Sequence, residues 1–379
     1  MSDKSLNIAI AAGGTAGHIN PALAMAEELR SRGHNCVFYG QGNRLEAKLV
    51  PEAGFEFVGL DLCGFDRRRP WTLFSALSKM KKAEKKVASV FANGDRPDVA
   101  IGFGAYIELP LLNVCHSQNI PCLIHEQNSV AGLANKKSAR KCTCICVAFP
   151  AAASIFKSAA SARTNVVVTG NPVRTSVIEG DRARGRQEFG IPEDARMLLV
   201  FGGSLGARKL NETMAEAKIN LLAREDLYVV HSTGAKQFEE AEGLLKLTDS
   251  EKKRYKLLPY ISDMGDALAA SDLVISRAGA SSVAEIAAVG VPSILVPYPL
   301  ATADHQTTNA HLLSDIDGAY VVTDDELSAS VLEDLLSTTL DDENHLKEMR
   351  EKISGLGQDR AACALADQVV KAVELNKLV

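Results

Sequence analysis

The chain has 379 residues, 46% of them hydrophobic, and a formal net charge of −5. That length exceeds what one core usually supports and predicts two α/β domains, while the acidic balance argues against general nucleic-acid binding. Eight cysteines without paired C-x-x-C spacing point to a reduced, cytoplasmic protein rather than a disulfide scaffold or a closed zinc site.

The first element, "NIAIAA", is an unbroken apolar run of the kind a doubly covered parallel strand needs. It is too short for a secretory signal and meets "GGTAGH" at once. Gly13, Gly14 and Gly17 let a ligand approach the backbone, Asn20 suits a helix N-cap, and Pro21 suits the first helical turn. The loop thus resembles a diphosphate cradle holding one titratable side chain, His18. Next comes "GFDRRRPWTLFSALSKMKKAEKKV", with eight basic residues from Arg67 to Lys86 against one acid, Glu84. Trp71, Phe74 and Leu77 recur every third position, so a helix holds them along one side. Such a basic amphipathic segment suits an anionic membrane surface, or else an ordinary surface helix packed on a sheet.

A second glycine loop, "VAIGFGAYIELP", follows another apolar run, and "PCLIHEQN" places His125 and Glu126 after a strand. "CTCIC" is expected to set Cys142, Cys144 and Cys146 on one face of a strand as core packing. "VTGNPVR" marks a domain boundary near residue 170. Beyond it, "MLLVFGGSLGARKLNETM" and "LVISRAGASSVAEIAAVGVPSILVPYP" repeat the strand–loop–helix theme. The alternation implies Rossmann-type parallel sheets, with ligands at the carboxyl ends of the strands. The longest uncharged stretches, Ser5–Ala26 and Ile286–Ala303, are broken by Gly and Pro and do not read as membrane spans.

A dinucleotide dehydrogenase is disfavoured. The first loop is G-G-x-x-G, and no acid occurs between Leu29 and Leu45 to hold an adenosine ribose. In "SRAGASSVAEIAA" the backbone from Ala278 to Ser282 can meet a phosphate, and Glu285 lies one turn inside the helix, placed for two ribose hydroxyls. The alternative is a first-turn glutamate of the capping type. Gln306, in "DHQTTNA", is a candidate for sugar hydroxyls.

Together, "GGTAGHINP", "LVPEAGFEF", "IGFGAYIELP", "IPCLIHEQNSVAGLANK", "VTGNPVR", "VFGGSLGARKLN", "LPYISDM", "SRAGASSVAEIAAVGVPSILVPYP" and "DHQTTNA" carry a resemblance. The chain resembles the MurG family, glycosyltransferase family 28, over about residues 8–312. The resemblance implies the GT-B fold, two Rossmann-like parallel-sheet domains facing across a cleft. Residues 1–170 would form the acceptor and membrane-facing domain, with a C-terminal helix near 357–379 packing back onto it. Residues 171–356 would bind UDP-GlcNAc. The implied reaction moves GlcNAc from UDP-GlcNAc to the C4 hydroxyl of the MurNAc-pentapeptide of lipid I, with inversion, giving lipid II and UDP for peptidoglycan. Work at the cytoplasmic face of the membrane, as a peripheral protein on the anionic inner leaflet, is implied with it.

Residue by residue, the resemblance assigns Thr15, Ala16, Gly17, Asn128, Arg174, Ser204, Ile261, Ala280, Ser281, Ser282, Val283, Ala284, Glu285 and Gln306 to UDP-GlcNAc, with Ile261 meeting uracil through its backbone. Arg67, Arg68, Arg69, Trp71, Phe74, Leu77 and Tyr106 fall to the acceptor and membrane. His18 is a candidate base, or alternatively a donor to phosphate. His125 or Glu126 would orient the acceptor or replace His18, and a structural hydrogen bond is the other use of Glu126. Helix N-termini and Arg174 would stabilise departing UDP without a metal or other cofactor. The one D-x-D near a site edge, Asp315-Ile316-Asp317, reads as turn chemistry.

The chain departs from the family pattern at Ala16, Ala105, Glu108 and Ala303. The added methyls are tolerable where φ stays negative. The Glu108 carboxylate implies a modified acceptor or an outward-facing side chain. Alternative functions are a related transferase with another lipid acceptor, a UDP-GlcNAc 2-epimerase, and a catalytically silent nucleotide-sugar sensor.

Overall fold

The computed structural model describes residues 5–64, 72–159, 164–203 and 206–376. The chain forms two compact units. The first comprises Met1–Arg174 and Arg360–Val379, and the second Thr175–Asp359. The division thus falls just after Arg174, which stays with the first unit.

The first unit is built on seven parallel strands in the order β3-β2-β1-β4-β5-β6-β7. These are β1 Asn7–Ala11, β2 Asn35–Gln41, β3 Glu56–Leu60, β4 Val99–Gly102, β5 Cys122–Glu126, β6 Cys144–Val147 and β7 Asn165–Val168. Alternation along β1 explains the apolar run. Ile8 and Ile10 enter one core layer, and Ala9 and Ala11 the other. The helix Ala361–Asn376 joins the first layer through Leu365, Ala366, Val369 and Val373, and Arg32 pairs with its Asp367 at 2.5 Å. The last helix therefore completes the first unit.

The cysteine expectation needs correction. Cys144 and Cys146 share a face, their sulfurs 3.8 Å apart, but Cys142 precedes the strand and packs in the opposite layer beside Ile145 and Val147. Strand alternation reaches back only to Cys144.

The second unit holds six parallel strands in the order β10-β9-β8-β11-β12-β13. They are β8 Arg196–Phe201, β9 Leu227–Ser232, β10 Tyr255–Leu258, β11 Leu273–Ser276, β12 Ser293–Leu295 and β13 Ala319–Val321. In each sheet the chain order reverses beside the central strand, at β1/β4 and at β8/β11. Open parallel sheets bind ligands at such reversals. The four glycine- and alanine-rich loops of the sequence follow these four strands.

Candidate functional site

At the first reversal, helix α1 spans Ala16–Ser31 and begins earlier than its cap signals suggest. Thr15, not Asn20, is the N-cap, with extended backbone at φ −141°, and its carbonyl accepts from His18 and Ile19. Pro21 lies inside the helix. The consequence is chemical: Ala16, Gly17 and His18 form the first turn, so His18 projects from a fixed helix start rather than from a loop.

His18 is half-buried, with Nδ1 3.1 Å from the Thr15 hydroxyl. Its Cδ2–Nε2 edge lies against Gly104, 3.4 Å from where a β-carbon would stand. Burial lowers its pKa below the ordinary 6.5, while the Glu126 carboxylate, a bond to the Gly13 backbone and the Glu46 carboxylate oppose that shift. The imidazole is therefore neutral at neutral pH, the form a base requires.

Three buried carboxylates organise the surrounding loops. Glu46 opens helix α2, Glu46–Glu52, and accepts from the amides of Gly14 (3.2 Å) and Gln41 (3.0 Å). Glu108 opens helix α4, Glu108–Ser117, and accepts from the Gly104 amide at 2.7 Å and the Ser138 hydroxyl at 2.9 Å. Glu126 accepts from the amides of Asn128 (3.1 Å) and Gly132 (2.8 Å) and from the side chain of Asn135 (2.8 Å). Asn135 and Ser138 lie on helix α5, Leu133–Ser138.

Glu108 thus faces inward, fully buried, and neither a modified acceptor nor an outward side chain is needed to house it. Burial pushes its carboxyl up to about 7, against the lowering bonds from Gly104 and Ser138. Ala16 has helical backbone, but Ala105 adopts φ +57°, so the tolerance expected at negative φ applies only to Ala16.

His125 is fully buried against the Phe103 ring, its centroid 5.4 Å away. Its Nδ1 lies 3.0 Å from the Gln127 amide nitrogen, so Nε2 carries the proton and donates to the Gly170 carbonyl at 3.0 Å. Burial brings its pKa down to about 4. Those contacts give His125 the geometry of a neutral bracing residue. The Tyr106 hydroxyl donates to Gln41 at 2.9 Å, and Gln41 donates to the Leu62 carbonyl at 2.6 Å. Asn128 is half-buried beside Glu126, and Thr15 is exposed.

At the second reversal, the helix Ala280–Val289 starts at Gly279 without a side-chain cap. The first helical bond runs from the Val283 amide to Gly279, so the amides ahead of it have no acceptor within the helix. The Ser281 hydroxyl is buried without a hydrogen-bond partner among the described residues. Val283 and Ala284 are buried side chains, and Glu285 is half-buried one turn on. Gln306 opens the helix His305–Ser314 and accepts from the Tyr298 amide at 2.9 Å. Asn309 donates to the Ala278 carbonyl at 3.2 Å, joining that helix to the β11 loop. Ala303 and Asp304 are both left-handed, at φ +53° and +52°, the sort of stored strain common at binding loops. Ile261 is buried after β10, and Arg174, the last residue of the first unit, has its Nε buried without a hydrogen-bond partner among the described residues. Asp315 pairs with His311 at 3.2 Å and Asp317 with Lys352 at 2.9 Å.

Arg67, Arg68, Arg69, Trp71 and Ser204 lie outside the described residues. Helix α3, Thr72–Val90, separates its two expected roles along its length. Ala83 and Val87 enter the core, whereas Phe74 and Leu77 are 79% and 52% exposed. Among the described residues no helix is long and apolar enough to cross a membrane, and no cluster of three metal-ligating side chains occurs.

Sequence reasoning missed Glu46 and the buried Arg277. Arg277 donates to the Val296 and Pro297 carbonyls and pairs with Asp324, tying the β11, β12 and β13 loops together. No spacing rule links Glu46 to Gly14. Arg277 stood in a quoted loop, where its charge was the available signal.

Residues 8–147 match the glycosyltransferase family 28 N-terminal domain, and residues 197–365 its C-terminal domain. The UDP-N-acetylglucosamine--N-acetylmuramyl-(pentapeptide) pyrophosphoryl-undecaprenol N-acetylglucosamine transferase of Halothermothrix orenii is 37% identical over 96% of this chain and 98% of its own. The crystal structure of Acinetobacter baumannii MurG superposes with a TM-score of 0.71 at 29% identity, over 96% of this chain and 99% of that one. A putative UDP-N-acetylglucosamine 2-epimerase from Listeria monocytogenes reaches the same TM-score, 0.71, over 94% of both chains. At 14% identity it shares only the fold. Two parallel-sheet domains of the GT-B class, matched in both halves and to close relatives over nearly the whole length, make this chain a member of glycosyltransferase family 28.

Proposed function

We propose that the chain transfers GlcNAc from UDP-GlcNAc to the C4 hydroxyl of the MurNAc-pentapeptide of lipid I, inverting the anomeric centre and producing lipid II and UDP. The observation that carries the chemistry is the neutral His18 imidazole at the start of α1, held through Nδ1 with its Nε2 edge against Gly104. Nε2 takes the C4 hydroxyl proton as the oxygen attacks the anomeric carbon. The new bond forms from O4 to C1, the bond from C1 to the β-phosphate oxygen breaks, and its electron pair leaves with UDP. The Glu126 and Glu46 carboxylates support the resulting imidazolium through the same field that raises its pKa.

The donor belongs to the second unit. The first-turn amides of the helix Ala280–Val289 suit the diphosphate, Glu285 the ribose, and Gln306 the GlcNAc hydroxyls through its amide group. Departure of UDP is served by these dipoles and Arg174 without a metal ion. Phe74 and Leu77, with Lys81, Lys82 and Lys85 exposed on the following turns of α3, suit the acidic cytoplasmic face of a membrane, where the acceptor resides.

The test is incubation with UDP-GlcNAc and lipid I. Release of UDP with a disaccharide lipid is the expected result. UDP-ManNAc formed without acceptor would replace this reading with an epimerase, and tight binding without turnover would replace it with a sensor.

A further inference from the structure

At the first reversal, each of three successive loops surrenders a glycine amide to a buried carboxylate: Gly14 to Glu46, Gly104 to Glu108, and Gly132 to Glu126. Missing side chains make the room. A β-carbon on Gly13 would stand 2.3 Å from Glu46 Oε1, and one on Gly102 would stand 2.5 Å from Glu108 Oε2. A glycine loop ordinarily turns such amides toward an anionic ligand. Here at least one amide per loop is turned inward instead.

Glu108 differs from its two companions. Its second oxygen takes a side-chain hydroxyl, Ser138, at the end of α5, so one carboxylate ties the β4 loop to the helix that also carries Asn135. The Gly104 backbone is sandwiched there: a β-carbon on it would lie 3.4 Å from His18 Nε2 and 3.6 Å from Asn135 Nδ2. Between the pinned amide and α4 sits Ala105, left-handed at φ +57°. A non-glycine residue holds that conformation only where its surroundings over-determine it. The bond from Gly104 to Glu108 spans it.

We propose that Glu108 is a positioning residue for the acceptor half of the site, pinning the Gly104 amide and Ser138 so that the β4 loop forms a fixed wall beside the His18 ring. It touches neither sugar. It sets the distance between the ring edge and whatever hydroxyl enters between the ring and the loop, and it removes the Gly104 amide from the set that can grip an anion. The inference rests on His18 acting as the base.

The experiment compares full-length wild type with Glu108→Ala, Glu108→Gln and Ser138→Ala, using UDP-GlcNAc and lipid I. Folded fraction is measured by circular dichroism at the assay temperature, and amide exchange is followed in peptides covering Gly104. Glutamine keeps an acceptor for Gly104 and offers an amide donor to Ser138, so it should hold kcat within about threefold of wild type. Alanine should lower kcat about tenfold or more while leaving the KM for UDP-GlcNAc within about twofold. It should also speed exchange around Gly104, which Gln should not. Should the Ala protein not fold, Ser138→Ala carries the test, with a smaller fall in kcat and the same unchanged donor KM.

Equal kcat for folded Ala, Gln and wild-type proteins would overturn the positioning role. So would parallel losses in kcat and donor affinity. Absence of transfer by wild type itself would instead overturn the function on which the inference rests.

Discussion

Replacing Glu108 by Gln should change how the first unit's stability depends on pH. The folded state raises this carboxyl from its ordinary 4.5 to about 7 by burial. The folded protein therefore holds the proton more tightly than the unfolded chain does. Its contribution is complete below about 4.5 and is lost as pH rises through about 7. A shift of that size corresponds to roughly 3 kcal/mol, at about 1.4 kcal/mol per unit. Glutamine carries no such proton, so the stability difference between Gln and wild type should move in favour of Gln by roughly that amount between pH 5 and pH 8. Denaturant titrations at several pH values, read by pulsed hydrogen exchange in peptides from β1 and β4, follow the first unit separately from the second, which a single two-state fit would not. Parallel pH profiles for the two proteins, within about 1 kcal/mol, would mean that Glu108 is already ionised at pH 5. Hydrogen bonds from Gly104 and Ser138 would then outweigh burial, and the reasoning would fail.

Ala105→Gly should stabilise the first unit by about 1 kcal/mol, because glycine adopts φ +57° without the steric cost that alanine bears. For a unit of this size that is roughly 2–4 °C in Tm by calorimetry, and a lower Tm would refute the strain assigned to Ala105. The acid limb of kcat/KM should titrate below 6.5, since burial lowers His18 and the base form persists to more acid pH. His18→Ala should remove that limb and lower kcat by about 10²- to 10⁴-fold with UDP affinity nearly intact. A comparable loss of UDP affinity in calorimetric titration would make His18 a binding residue instead. Phe74→Ser with Leu77→Ser should weaken sedimentation with acidic vesicles by about tenfold or more, given roughly 1.5–3 kcal/mol for each buried apolar side chain. Unchanged partitioning would return α3 to the role of an ordinary surface helix.

The parallel sheets were legible because strands covered on both faces must be apolar throughout, and because their glycine-rich ends mark where the chain reverses. "NIAIAA", "MLLVF" and "LVIS" all became central strands. Loop interiors were less legible. Asn20 and Pro21 carried strong cap signals, yet α1 starts at Ala16 because Thr15 is extended and its carbonyl takes the first helical bonds. Local propensity ranks caps but does not decide where a strand releases the chain. The carboxylates were illegible for another reason: Glu46 meets Gly14 across 32 positions, and Ser138 meets Glu108 across 30. Such pairings follow from strand order, which spacing within a motif does not encode. Glu108 departs from the family pattern within a glycine loop, where a modified acceptor or an outward-facing side chain is the expectation. The fold instead turns the side chain beneath the loop.

The same topology carries different polar settings in the two units, and the difference is in line with the proposed division of the reaction between them. At β1 and β4, buried Glu46 and Glu108 take the Gly14 and Gly104 amides, and Glu126 adds a third carboxylate. The Glu126 and Glu46 carboxylates support positive charge on the ring, which favours His18 in its proposed role as the base. At β11 the arrangement differs. The helix Ala280–Val289 starts without a side-chain cap, Ser281 has no hydrogen-bond partner among the described residues, and buried Arg277, paired with Asp324, braces the loop. Such a helix start suits the diphosphate proposed to bind there. A base placed at the second rim would lack the carboxylates that support an imidazolium at the first. The proposed assignment of hydroxyl activation to the first unit and of UDP to the second agrees with where the chain buries its acids.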